Sequence, residues 1–181
     1  MKESIGNIFY TDCDAVCITT NGFVKSNDEN VMGRGCALEA KKLIPDLPLI
    51  LGEKITNEGN QVHILLEQND VHLISFPVKP ITVMCNGSNV VEHMNNKFKV
   101  GSIVPGWAAK ADIEIIRQSA LELVQLANEM NWKTILLPRP GCGAGELSWN
   151  NLVKPVLEEI LDDRFICMTF KSNTNDKAPW E

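Results

Sequence analysis

The stretch PRPGCGAGELSW, residues 138–149, decides how this chain reads. An apolar run, Thr134-Ile135-Leu136-Leu137, leads into it. A helical run beginning at Asn150, NNLVKPVLEEIL, leads out of it. Three glycines, Gly141, Gly143 and Gly145, fill the space between strand and helix. Glycine accepts positive φ and lets another group come close to the backbone. A strand, a glycine loop and a helix N-terminus together aim several amide N–H groups in one direction, and such a nest holds phosphate without a lysine.

The same arrangement occurs earlier, in MGRGCALEA at residues 32–40, with Asn21-Gly22 ending the strand before it. Neither loop matches GxxxxGK[ST] of the nucleoside triphosphatases, and neither is a full GxGxxG of the dinucleotide fold. Tight turns between elements are the bland alternative for either loop alone. Two nests in one chain suit a diphosphate held from both sides.

Outward from these loops the chain alternates. AVCITT, residues 15–20, reads as a buried strand. Gly35 to about Ile44 has helical composition and stops at Pro45. VHILLE, 62–67, and VHLISF, 71–76, read as strands of a hairpin, the second closed by Pro77, with Lys79 just beyond its end. Residues 80–106 carry turn signals and weak periodicity and read as an insertion, a mobile loop or a lid. Asp112 to Met130 is the clearest helix, capped by Asp112, with Ile113, Ile116, Ala120, Leu123, Val124 and Ala127 on one face. KTILLP is a strand. Ser148 or Asn150 caps the next helix, which runs to about Leu161, with Pro155 in its early turns or at a kink. RFICMTF, 164–170, is the last strand, and residues 172–181 form a polar tail in which Trp180 can dock. This order predicts an α/β domain over 1–171, with helices on both faces of a mixed, mostly parallel twisted sheet. Ligands of such sheets bind beyond the carboxyl ends of the strands. Asn21, Lys79 and the 139–147 loop all fall there.

Composition narrows the classes. The net charge of −6 leaves no basic surplus for general nucleic-acid binding. No apolar run nears the roughly 18 residues of a membrane span. The start, MKESIGNIFYTDCDAV, lacks a signal-peptide apolar core, so the expected location is the cytoplasm. The six cysteines form no C-x-x-C pair and read as free thiols, and the three histidines stand far apart, so neither a metal nor a cofactor is expected.

With these blocks in hand, the chain resembles the macro domains, the ADP-ribose-binding α/β module. IGNIF (5–9), TTNGF and VMGRGCALEAKK (within 19–42), FPVK (76–79) and LPRPGCGAGELSW (137–149) carry the likeness, in the family's order. It is strongest to the branch holding the DNA ADP-ribosyl glycohydrolase antitoxins and the terminal ADP-ribose protein glycohydrolase, with small bacterial and phage members. The resemblance implies a three-layer macro-domain fold and ADP-ribose or an ADP-ribosylated substrate as partner.

It also implies roles. Asn7 and Ile8 would meet the adenine, although Asn7 replaces the family's usual acid. Asn21 and Gly22 would meet the distal ribose. Gly33, Arg34, Gly35, Cys36 and Ala37 would wrap the diphosphate from one side. Pro140, Gly141, Cys142, Gly143, Ala144, Gly145 and Leu147 would close over it from the other. Lys79 falls where the glycohydrolase branch keeps a lysine. Glu146 stands one position after that branch's loop acid; it is read either as a catalytic carboxylate or as a glutamate favoured by the following helix dipole. Trp107 and Trp149 are candidates for stacking or core packing. Three functions follow: a hydrolase removing ADP-ribose, a binder of ADP-ribose or a related NAD-derived metabolite, and an unrelated nucleotide-phosphate binder.

Overall fold

The computed structural model describes residues 1–171. The polar tail and Trp180 lie outside the described residues.

Six strands form the main sheet, in the order β1-β8-β7-β2-β4-β3. They are β1 (Lys2–Gly6), β2 (Ala15–Asn21), β3 (His63–Gln68), β4 (Val71–Lys79), β7 (Ile135–Pro138) and β8 (Phe165–Phe170). All pairings are parallel except β3 with β4, the hairpin. Alternate residues of the strands feed two separate cores. Ala15, Cys17, Ile74, Phe76, Ile135, Leu137 and Phe165 pack under α3 (Ile113–Glu129) and α4 (Lys154–Ile160). Val16, Ile18, Leu73, Leu136 and Met168 pack under α1 (Gly35–Leu43) and α2 (Leu47–Glu58). A sheet apolar on both faces must be covered on both faces, which gives three layers. No helix among the described residues is long and apolar enough to cross a membrane.

The α3 helix is built as its periodicity predicts. The Asp112 carboxylate accepts the Glu114 N–H at 2.8 Å, and Ile116, Ala120, Leu123 and Ala127 are fully buried. Asn131, at φ 56°, turns the chain out of it. Ser148 is the cap before α4: its hydroxyl accepts the Asn151 N–H, a π turn follows over Trp149–Val153, and Pro155 sits in the first turn.

The structure corrects the expected end of the second hairpin strand and adds elements that the sequence reading did not assign. Pro77 does not close β4, which continues to Lys79. It stands beyond Ser75, where β3 stops pairing, the edge setting in which a strand tolerates proline. Residues 47–58 form α2, because Pro48 sits in its first turn, where no N–H is required. Residues 2–6 form a strand whose residues are nearly all exposed. Residues 80–109 are folded. Strands β5 (Thr82–Met84) and β6 (Ile103–Pro105) pair as an antiparallel ribbon. Cys85, Val90, Val91, Met94, Val104, Ala108 and Ala109 bury one another in a small third core beneath it.

Candidate functional site

A cavity of about 700 Å³ opens at the carboxyl ends of β2, β4 and β7. Its walls come from the 6–9 turn, the end of β2, the first glycine loop, the end of β4 with Lys79, the 80–109 segment, the second glycine loop and the end of β8. Of the residues singled out by sequence, Asn7, Ile8, Asn21, Gly33, Arg34, Gly35, Cys36, Ala37, Lys79, Gly141, Gly143, Ala144 and Gly145 all line it. Both glycine loops therefore face one space.

The first loop is open. Gly35, at φ +58°, begins α1, and Arg34 before it makes no side-chain cap. The first-turn amides of a helix have no intrahelical acceptor, so this helix presents N–H groups and positive dipole to the cavity. Cys36 is held behind the loop, its sulfur 3.2 Å from both the amide N and the hydroxyl of Thr19. Burial pushes its thiol up from the ordinary range, which keeps it neutral.

The second loop is fastened. Leu147 N–H bonds Gly141 O, Glu146 N–H bonds Gly143 O, and Gly145 O accepts Ala111 N–H, each at 3.0 Å. Cys142 and Leu147 turn towards the α3/α4 core rather than the cavity. Pro140 is buried, with its carbonyl accepting from the Cys142 thiol. Gly22 also lies off the cavity, against Asn60 and Ile81.

Lys79 ends β4 between the loops, and the whole residue is only 8% exposed. Its ammonium donates to Ala144 O at 2.9 Å and reaches Trp107 O at 3.5 Å. Two neutral carbonyls do not replace a hydration shell. Burial lowers its pKa from 10.5 to about 8; Glu146 opposes the shift and Arg34 adds to it. The free amine is therefore far more accessible near neutral pH than in an ordinary lysine.

Asn7 does a local job. Its Oδ1 accepts the Phe9 N–H at 3.0 Å and caps the turn Ile8–Tyr10, so the oxygen expected to read adenine already holds one donor. Asn21 likewise donates to Val31 O at 2.8 Å and accepts from Phe23 N–H at 3.0 Å, bracing the loop from 21 to 31. Of the two readings of Glu146, the one that placed it in the helix's first turn is corrected. Glu146 lies at φ 62°, before the helix rather than in its first turn. Its carboxylate accepts the Glu92 N–H at 2.8 Å and pairs with Lys110 at 3.5 Å. It thus ties the second loop to the 80–109 segment.

That segment supplies wall residues the sequence reading missed: Val91, His93, Met94 and Lys97, beside Trp107. Three of the four sit in a short 3-10 turn, Glu92–Lys97, which has no periodicity to detect. Histidine scarcity was the available signal, since His93 is one of three. Arg139 and Phe170 also reach the cavity. Arg139 lies 5.1 Å over the Trp149 ring and pairs with Glu3 at 3.2 Å. Trp149 itself is 7% exposed and is a packing residue, its indole N–H donating to Glu3. No group of three metal-ligating side chains occurs among the described residues.

No family model matches the sequence, and no curated protein matches it. Solved structures do. The macrodomain of Mycobacterium tuberculosis DarG superposes with a TM-score of 0.65 at 18% identity, covering 94% of this chain and 98% of that one. The macrodomain of Thermus aquaticus DarG gives 0.63 at 20% identity, over 94% and 97%. Thermosipho africanus DarTG, solved in complex with ADP-ribose, gives 0.64 at 16% identity, over 96% of this chain and 43% of that one. At these identities the likeness is one of architecture, and the conclusion is that this chain has the macrodomain fold.

Proposed function

We propose that this protein is a cytoplasmic ADP-ribosyl hydrolase, which binds ADP-ribose between its two glycine loops and cleaves the bond at the distal ribose. The observation that carries the reading is Lys79: a buried amine at the strand ends, with its pKa lowered to about 8, between two loops suited to a diphosphate. DarTG with ADP-ribose shares the fold, which supports the ligand. The α1 amides receive the phosphates, and Asn7, Ile8 and Phe170 face the adenine end.

Lys79 acts as the free amine. Its nitrogen attacks the anomeric carbon of the distal ribose, forming a C–N bond as the acceptor's glycosidic bond breaks. The bonding pair leaves with the acceptor, which takes a proton from the new ammonium. The ring opens to an imine; water adds, releases ADP-ribose and restores the amine.

The second reading is a binder without turnover. It is favoured by Glu146, the acid of the second loop, whose carboxylate is committed to Glu92 N–H and Lys110. The test is to incubate the protein with ADP-ribosylated thymidine DNA and with glutamate-modified protein, then add cyanoborohydride. Release of ADP-ribose, with a reduced ADP-ribosyl adduct mapped by mass spectrometry to Lys79, supports the hydrolase. Tight ADP-ribose binding without release or adduct supports the binder.

A further inference from the structure

The 80–109 segment has a second face that takes no part in the cavity. Across the β5–β6 ribbon, Val83 and Val104 stand opposite each other and pack into the third core. Side chains alternate along a strand, so Thr82 with Pro105 and Met84 with Ile103 fall on the outer side. Met84 is 66% exposed and Ile103 71%. The ribbon's tip is a tight turn, in which the Ser102 N–H bonds Lys99 O at 3.0 Å and Gly101 takes φ +87°. That turn holds Val100 out at 74%, the most exposed large apolar side chain among the described residues. Met84, Val100 and Ile103 are all absent from the cavity lining.

Apolar residues scattered singly over a surface need no explanation, but these three gather on one short ribbon. Paired strands and a turn fix the backbone beneath them, so a partner meets a preorganised face. The border of that face is basic. Lys99 adjoins Val100, Lys97 stands just before it, and both are exposed. Neither pairs with a carboxylate among the described residues. In a chain of net charge −6, residues 80–109 carry these two lysines against one glutamate, Glu92. An apolar face with an unpaired cationic border matches a partner that is apolar with carboxylates at its edge. A second copy fits less well, because a two-fold axis at the ribbon tip would bring Lys99 to its own image. A nucleic acid also fits less well, since two lysines neutralise few phosphates and the face beside them is apolar.

We propose that the outer face of the β5–β6 ribbon docks an acidic segment of a partner protein, whose apolar side chains cover Met84, Val100 and Ile103 and whose aspartate or glutamate meets Lys99. The patch is on the order of a few hundred Å², below the roughly 800 Å² per partner of a stable interface, so the contact is a transient one. It does not depend on what the cavity binds or cleaves.

A random peptide library displayed on phage, selected against the full chain, tests this. Enriched peptides are expected to combine large apolar residues with Asp or Glu, and a synthetic copy is expected to bind with a Kd of about 10 μM by fluorescence anisotropy. Met84→Ser and Ile103→Ser, both at exposed positions, should each weaken that binding at least about fivefold while leaving the thermal melt unchanged. Lys99→Glu should weaken it about fivefold and flatten its salt dependence. Saturating ADP-ribose should not displace the peptide. No enrichment, enriched peptides without acids, displacement by ADP-ribose, or an affinity untouched by Ile103→Ser overturns the proposal. So does a concentration-dependent dimer in sedimentation that Ile103→Ser dissociates, which would assign the face to a second copy.

Discussion

The two glycine loops look alike on paper, yet their glycines stand in opposite surroundings. A Cβ added at Gly33 or Gly35 meets nothing within 4 Å, because both positions face the cavity. A Cβ added at Gly145 would lie 2.5 Å from Gly141 O and 2.6 Å from the Ala111 side chain. At Gly141, φ is +71° and the added atom would meet Ile116 and Ala111 below 3.0 Å. In the second loop only Gly143 of the three is open. The first loop's glycines leave room for a ligand, whereas two of the second loop's leave room for the protein itself. Glycine content alone therefore does not locate a binding surface; what the missing side chain would strike does.

This contrast can be broken by mutation. The largest expected effect is on stability: Gly145→Ala should cost about 3 kcal/mol in chemical denaturation, since backbone and a packed side chain must move. A loss below about 0.5 kcal/mol would show that the second loop is as free as the first.

Lys79, bonded to the fastened loop and facing the open one, comes next. Lys79→Met should reduce ADP-ribose release about a hundredfold while ADP-ribose affinity changes little. In the wild type, release should rise with pH and level off above about 8, because the free amine is the active form. A rate falling as pH rises through 8 would instead make the ammonium the active form. The same depressed pKa bears on folding: the unfolded chain binds more protons between about 8 and 10.5, so this residue adds stability as pH rises through that window.

Gly33→Val sharpens the contrast from the other side. It should leave stability within about 0.5 kcal/mol and weaken ADP-ribose binding about tenfold by filling space meant for ligand. The smallest effect is expected at Glu146→Ala, which removes the acceptor of the Glu92 N–H and the partner of Lys110. About 1 kcal/mol is lost there, visible as faster hydrogen exchange at the Glu92 amide.

How far the sequence foretold this molecule depended on whether each element carried a period. α3 buries one regular face, β2 and β7 are short apolar runs buried on both faces, and both glycine loops sit where strand ends and helix starts predicted them. β1 is a polar edge strand, KESIG, with no alternation between faces to read. α2 was hidden by Pro48, which breaks helices everywhere except at their start. The site was legible where glycine loops line the cavity, and illegible where a long-range fold brings side chains in. His93, Met94 and Lys97 reach the cavity only because the third core positions their turn. Nor could spacing reveal that Asn7 spends its oxygen on Phe9 N–H, or that Glu146 is latched to residues 92 and 110.

A crystal structure of the protein grown with saturating ADP-ribose tests the central claim most directly. It should show the diphosphate between residues 33–37 and 141–145, with the anomeric carbon of the distal ribose about 3.5 Å from the Lys79 nitrogen. An empty cleft at saturating ligand, or a ligand whose distal ribose points away from Lys79, would contradict it.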